Sequence, residues 1–406
     1  MRLRKTYETA NVLSMFVGGL LFLFALGAFN LPGYFFLLLT FVYLLLESRS
    51  VSFGMREIPL VLFSVSYFIA YTYYYDFEVK SLIVYLWGPW AAYLFGKYYV
   101  LHSGGERALR RLLTMIACGF FAHGVLNLIA YLRSGYYAQY AYQRLSVDFW
   151  RQDIVSVIST CLLLTFALSW AISSLFSACS IQKKLLCFAV LAVSTAEAAF
   201  FAHRSMILMI AILLVVRFAQ WVKDAKVTSA KKAALICVLF LAAVLFSLAV
   251  YLNVHNIRTN LLSLKIVRRF ISDERTSRLR AWVSFFTSGD WFLHPFGGQK
   301  MTSAVGGKWM HNLWLDIYNK AGAFPFWMFV IFTVTSLACV KRAVACLRTR
   351  ENAILADAVA YVVAGVMLIC TLEPVIDANP YFFLAFLMIL GGAAGAETLY
   401  KEQGAI

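Results

Sequence analysis

The sequence predicts an all-α polytopic membrane protein of about twelve spanning helices, with one large loop between the ninth and tenth. Three observations lead there. Apolar residues make up 62% of the 406-residue chain and charged residues only 14%, against about 25% charged in a soluble domain. Apolar runs near the length of about 20 residues that a spanning helix needs recur along the chain. One long polar stretch, residues 253–322, interrupts them. The whole chain, 1–406, reads as a single integral-membrane domain.

In order, the expected spans cover residues 10–29, 32–46, 58–74 and 81–100, then 112–132, 154–176, 185–202 and 205–222. The last four cover 233–252, 323–340, 354–372 and 381–396. The first apolar run is longer than the 7–15 residues typical of a signal peptide, so it is read as a helix. Lysine and arginine fall mainly in alternate connections. One set holds Arg49, Arg56, Arg107, Arg110, Arg111, Lys183, Lys184, Lys223, Lys226, Lys231, Lys232, Lys341, Arg342, Arg348 and Arg350 with the N-terminal Arg2, Arg4 and Lys5. The other short connections hold few, namely Lys80, Arg133, Arg144, Arg151 and Arg204. The positive-inside rule then puts both termini in the cytoplasm and the long loop outside.

The net charge of +16 is the ordinary bias of the inner face toward anionic lipid, and nucleic acid is not an expected partner. The eight cysteines all fall in spans or on the inner side, so no disulfide framework is expected outside. The six histidines are scattered and no CxxC or HExxH spacing occurs, so neither a metal nor any other cofactor is expected.

A loop of about 70 residues is far longer than a connector needs, and such loops usually carry function. Residues 256–271 alternate apolar and basic positions at helical spacing, which predicts an interfacial amphipathic helix. Asp273 or Thr276 is placed to cap a second helix over residues 277–287. Arg278 and Trp282 then share a face at i and i+4, and Arg275 and Arg280 flank them. Arginine offers a planar fork of donors for phosphate, and an indole face supports a sugar ring. His294-Pro295-Phe296-Gly297-Gly298 reads as a tight turn. His311 opens a third helix, in its first turn, followed by Asn312 and Asp316. Histidine suits general-base work on a hydroxyl. Arg204 stands at the junction of the seventh and eighth spans, with Glu197 two turns earlier as a possible partner. His123, Asn127, Glu197 and Asp357 are polar positions in spans that form no obvious dyad in the sequence.

In this order and placement, residues 204–322 resemble the O-antigen ligase and polymerase family of bacterial envelope glycan assembly. The likeness rests on His203-Arg204-Ser205 opening a late span, Arg278 to Trp282 as R-x-x-x-W, the turn Pro295 to Gln299, and His311 to Leu315 as H-N-x-x-L. His203 stands where serine is common, and Gln299 takes the place of the turn's second glycine. The resemblance implies a glycosyltransferase C-like fold in the bacterial inner membrane. It implies inverting, metal-independent transfer from a polyprenyl-pyrophosphate-linked oligosaccharide to a sugar hydroxyl at the outer face. Arg204 and Arg278 would hold the pyrophosphate, and His311 would orient or deprotonate the acceptor. Arg275, Arg280, Trp282 and Asn312 would contact substrate. Polymerase is favoured slightly over ligation to a lipid A core, and other polysaccharide-assembly membrane proteins are expected partners. The alternative from a different class is a glycolipid flippase or secondary transporter, whose usual internal repeats the sequence lacks.

Overall fold

A computed structural model describes residues 15–46, 53–74, 77–135, 145–175, 180–223, 282–283, 285–287, 294–296, 310–350 and 352–402. The described residues form a helical bundle. Its first helices are α1 (Met15–Leu26), α2 (Pro32–Leu46), α3 (Ile58–Tyr74), α4 (Gly88–His102) and α5 (Glu106–Arg133). There follow α6 (Val157–Ser174), α7 (Ile181–Phe200), α8 (Arg204–Lys223), α9 (Leu313–Ala321), α10 (Ala323–Thr349), α11 (Ala353–Cys370) and α12 (Pro380–Glu402). Six of these, α5, α6, α8, α10, α11 and α12, are long and apolar enough to cross a membrane; α1, α2 and α3 contain shorter apolar helices. The protein is thus a multi-pass, essentially all-helical membrane protein. The ninth expected span, residues 233–252, lies outside the described residues, as does the amphipathic stretch 256–271.

Where helices begin and end follows from local chemistry. Ser156 caps α6 by accepting the Ile158 N–H, and Ser180 caps α7 by accepting the Lys183 N–H. The expectation of helix from residue 154 is corrected here. Ile154–Ser156 is a strand, β2, paired antiparallel with β1 (Leu145–Val147), and helix starts only after the Ser156 cap. The β-branched residues Ile154 and Val155, placed just before that cap, suit the ladder. This hairpin is the one exception to an all-α fold among the described residues. A π-helical stretch, Leu82–Trp87, leads into α4; such widened turns collect at functional sites.

The tightest packing joins α4 and α12. A Cβ on Gly96 would fall 1.9 Å from the Met388 carbonyl oxygen, and one on Gly391 would fall 1.9 Å from that of Tyr93. Gly391 and Gly395 form a G-x-x-x-G pair, which lets backbones approach where lipid removes the hydrophobic drive between helices. One continuous apolar core runs from Val17 in α1 to Tyr400 in α12.

The bundle has two unlike ends. At the first lie the α1–α2 connection, the β-hairpin, the α7–α8 turn, α9 and the α11–α12 connection. At the other, ion pairs lock helix ends together. The buried Glu397 meets Arg56 at 2.6 Å, Arg342 at 2.5 Å and Lys401 at 2.9 Å, and Asp357 meets Arg217 at 2.9 Å and Arg348 at 2.8 Å.

Candidate active site

The site is built around a pinch in the chain at His311. The Asp316 carboxylate accepts the Met310 N–H at 3.1 Å and the Asn312 N–H at 3.2 Å, on either side of His311. The Trp282 indole donates to the Met310 carbonyl at 2.8 Å. Held this way, His311 takes a left-handed backbone with φ 51°. That conformation is costly for a non-glycine residue and persists only where its surroundings enforce it. His311 does not sit in the first turn of a helix, as the sequence leads one to expect. Asn312 takes the N-cap instead, accepting the Trp314 and Leu315 N–H groups at 3.1 Å each, and α9 starts at Leu313. The Asn312 amide also donates to the Thr371 carbonyl at 3.3 Å, tying α9 to the end of α11. Burial and the like charge of Asp377 push the Asp316 carboxyl up to about 7, against the opposing backbone donors.

Glu373 gathers three distant segments. It is 1% exposed and follows α11 directly, with Pro374 behind it. The Ser205 hydroxyl donates to Oε1, and His203 Nε2 lies 3.8 Å from the same oxygen. His311 Nδ1 lies 3.3 Å from Oε2. A carboxylate only accepts, so in this hydrogen bond His311 donates from Nδ1, the tautomer that turns Nε2 into an acceptor when the ring is neutral. His203 Nδ1 accepts the Met206 N–H at 3.3 Å at the start of α8. Ala202, with φ 52°, makes the sharp turn from α7 into this corner. Arg204 is thereby fixed in the chain between His203 and Ser205, both of which face Glu373.

His311 also lines a cavity of about 460 Å³ at this end of the bundle. Its apolar wall includes Phe24, Phe120, Ile158 and Tyr381, and its polar wall includes Asn30, Lys80, His123, Asp148, Trp150 and Arg151. The hairpin loop holds that polar wall in place. Asp148 accepts the Trp150 and Arg151 N–H groups at 3.0 Å each, and His123 Nε2 lies 3.3 Å from its other oxygen. Burial opposes charge on Asp148, yet the His123 and Arg151 hydrogen bonds hold its carboxyl below the usual range. Trp150 Nε1 donates to the Leu26 carbonyl at 2.9 Å, and Arg151 donates to the Asn30 side chain. Gly27 lets this corner close, because a Cβ there would fall 2.7 Å from the His123 ring. Two basic side chains, Lys80 and Arg151, and two carboxylates, Asp148 and Asp377, thus share the cavity with an indole and an apolar wall, the mixed lining of a small-molecule site.

Of the residues the sequence marks out, the structure places His311 and the backbone of Arg204 around one carboxylate, with Asn312 and Trp282 holding the His311 segment in shape. Arg275, Arg278 and Arg280 lie outside the described residues. The expected second helix is helical at residues 282–283 and 285–287, and its proposed caps lie outside the described residues. His294 and Pro295 accept through their carbonyls from Ala323 and Phe324, which seats this turn on the start of α10. Two readings are corrected. Glu197 does not partner Arg204, since among the described residues neither of its buried carboxylate oxygens has a hydrogen-bond partner. His123 does belong to a dyad, with Asp148, while Asn127 accepts the Phe149 N–H at 2.8 Å and Asp357 pairs with arginines. Among the described residues no cluster of side chains is arranged to hold a metal.

The sequence reading missed Glu373, Asp148 and Lys80. The signal for Glu373 was available: an acid followed by proline at the end of an apolar run is an ionisable group at a membrane boundary. Compared with known proteins, the chain matches no protein-family model and no curated protein.

Proposed function

We propose that this protein is an inverting, metal-independent glycosyltransferase of the bacterial inner membrane, which extends a glycan from a polyprenyl-pyrophosphate-linked donor. The observation that carries the reading is His311, oriented by the buried Glu373, lining a cavity that combines an apolar wall with the polar side chains Lys80, Asp148, Trp150, Arg151 and Asp377. The motif order across residues 204–322 supports it. In this reading the chain has twelve spans, cytoplasmic termini and a cavity at the outer face. The apolar wall receives the start of the polyprenyl chain.

The acceptor hydroxyl lies against His311 Nε2 and gives it a proton as its oxygen attacks the anomeric carbon from the face opposite the leaving group. The bond from that carbon to the pyrophosphate breaks, and the electron pair leaves on the phosphate oxygen. Arg204 and Arg278 stabilise that charge, and removing one preorganised donor of this kind costs about 2.7–4 kcal/mol of barrier. Glu373 steadies the imidazolium formed at His311 and fixes its tautomer. The acceptor is the end of another lipid-linked glycan; ligation to a different acceptor uses the same chemistry.

The test is reconstitution of the purified protein with a lipid-linked oligosaccharide. A ladder of lengthening glycans, abolished in His311→Ala with donor binding retained, is the expected outcome. A single transfer to a lipid A core in place of a ladder makes the protein a ligase. Movement of the glycolipid across the bilayer with no new glycosidic bond overturns the reading in favour of a flippase.

A further inference from the structure

The opposite end of the bundle carries a second recess that owes nothing to the cavity or to the proposed reaction. Arg107, Arg110 and Arg111 lie in the first two turns of α5 at i, i+3 and i+4, so they share one face. Thr114 and Met115 continue the same stripe one turn further on. Together they line a groove of about 540 Å³.

Among the described residues this groove holds three cations against one acid. Among the described residues none of the three arginines makes an ion pair; Arg110 donates to the Asn352 side-chain oxygen at 3.2 Å. The one acid on the groove, Glu106, is taken up by neutral donors, Asn352 at 2.6 Å and Tyr400 at 2.9 Å. Helix stability does not account for three cations here, because the start of a helix favours negative charge. The groove is also shaped for a long side chain. Gly18 of α1 lies under the Arg111 stem, and a Cβ there would fall 3.3 Å from Arg111 Cδ and 3.9 Å from Met115 Cγ.

Depth in the bilayer selects among anions. The 28 residues of α5 span about 42 Å at 1.5 Å each, against a hydrocarbon core of about 30 Å. The excess of about 12 Å goes to the end that carries the three arginines, since charge is expelled from the hydrocarbon, which puts the first two turns at headgroup level with Met115 at the start of the acyl region. We propose that the groove binds an anionic glycerophospholipid, its phosphate among Arg107, Arg110 and Arg111 and an acyl chain along Met115. Basic recesses between helices at this level suit such headgroups.

The test uses full-length protein in a mild detergent and native mass spectrometry. Phosphatidylglycerol and cardiolipin are added separately, beside phosphatidylcholine and soluble glycerol 3-phosphate. The expected result is retention of the anionic lipids about tenfold above phosphatidylcholine, lost in the triple variant R107Q/R110Q/R111Q and largely kept in R107K/R110K/R111K. Should the glutamine variant fold poorly, Thr114→Trp fills the groove without altering charge and is expected to lose the lipid equally. Equal retention of phosphatidylcholine, or unchanged retention in both Thr114→Trp and the glutamine variant, overturns the proposal. Competition by glycerol 3-phosphate at the same concentration as intact lipid also overturns it, and marks a site for soluble phosphate instead.

Discussion

His311 has one nitrogen committed to Glu373, and the base role proposed for it depends on that commitment. Glu373→Gln retains the size of the side chain but presents an amide that can point either a donor or an acceptor at Nδ1. Turnover is expected to fall about 10²–10⁴-fold, the range of general acid–base effects, with donor affinity little changed. Measured as kcat and KM over a range of pH, a loss confined to KM would remove Glu373 from the reaction. Asp316 gives a second prediction at this scale. Its carboxyl is raised from 3.8 to about 7, so the folded protein binds more protons than the unfolded chain between those values. Its contribution to stability is therefore complete below the lower value and is lost as pH rises through the higher one. Thermal unfolding in detergent should show greater stability at about pH 5 than at about pH 8, and Asp316→Asn should flatten the difference.

Among the elements, α4 and α12 make the closest backbone approach described above. Gly391→Leu or Gly96→Leu inserts a side chain where even a Cβ would meet a carbonyl oxygen. Overpacking of this kind costs about 1–3 kcal/mol or more. Either substitution should lower the thermal midpoint of the purified protein far more than Gly19→Leu, where a Cβ meets nothing. Some helix boundaries were legible in the sequence because apolar length decides them: α2, α3 and α11 lie close to their expected ranges, while α10 runs on to Thr349 and α5 starts at Glu106, both through basic residues beyond the apolar run. The β-hairpin was not legible. Its two strands are three residues each, and Asp148 with its backbone donors, rather than any period of side chains, sets their turn. The pinch at His311 was hidden for a similar reason. The sequence places His311 in the first turn, and only the Asn312 cap and the Asp316 hydrogen bonds to Met310 and Asn312 show that the helix begins at Leu313.

For the whole molecule, the distribution of basic residues predicts which end faces outward. A cysteine placed at Ser303, in the long loop, should react with an impermeant thiol reagent in intact cells. Reaction only after lysis would place the loop, and the cavity with it, on the cytoplasmic side. The candidate site was half legible at this scale. Order along the chain pointed to Arg204 and His311, but the carboxylate that joins their segments comes 62 residues after His311 and 168 after Ser205. Distances of that kind in sequence carry no periodic signal; only the folded bundle brings the partners together.

That separation has a bearing on biogenesis. A nascent chain enters the membrane from its N-terminus, so α8 and the loop are made before Glu373. Until α11 and its trailing turn have been inserted, Ser205 lacks its acceptor and His311 lacks the group that fixes its tautomer. A chain stalled or cleaved before residue 373 would hold the histidine and the arginines and still have no assembled site. Completion of the polypeptide thus acts as a built-in licence, because half-made copies in the membrane lack the carboxylate that joins Ser205 and His311.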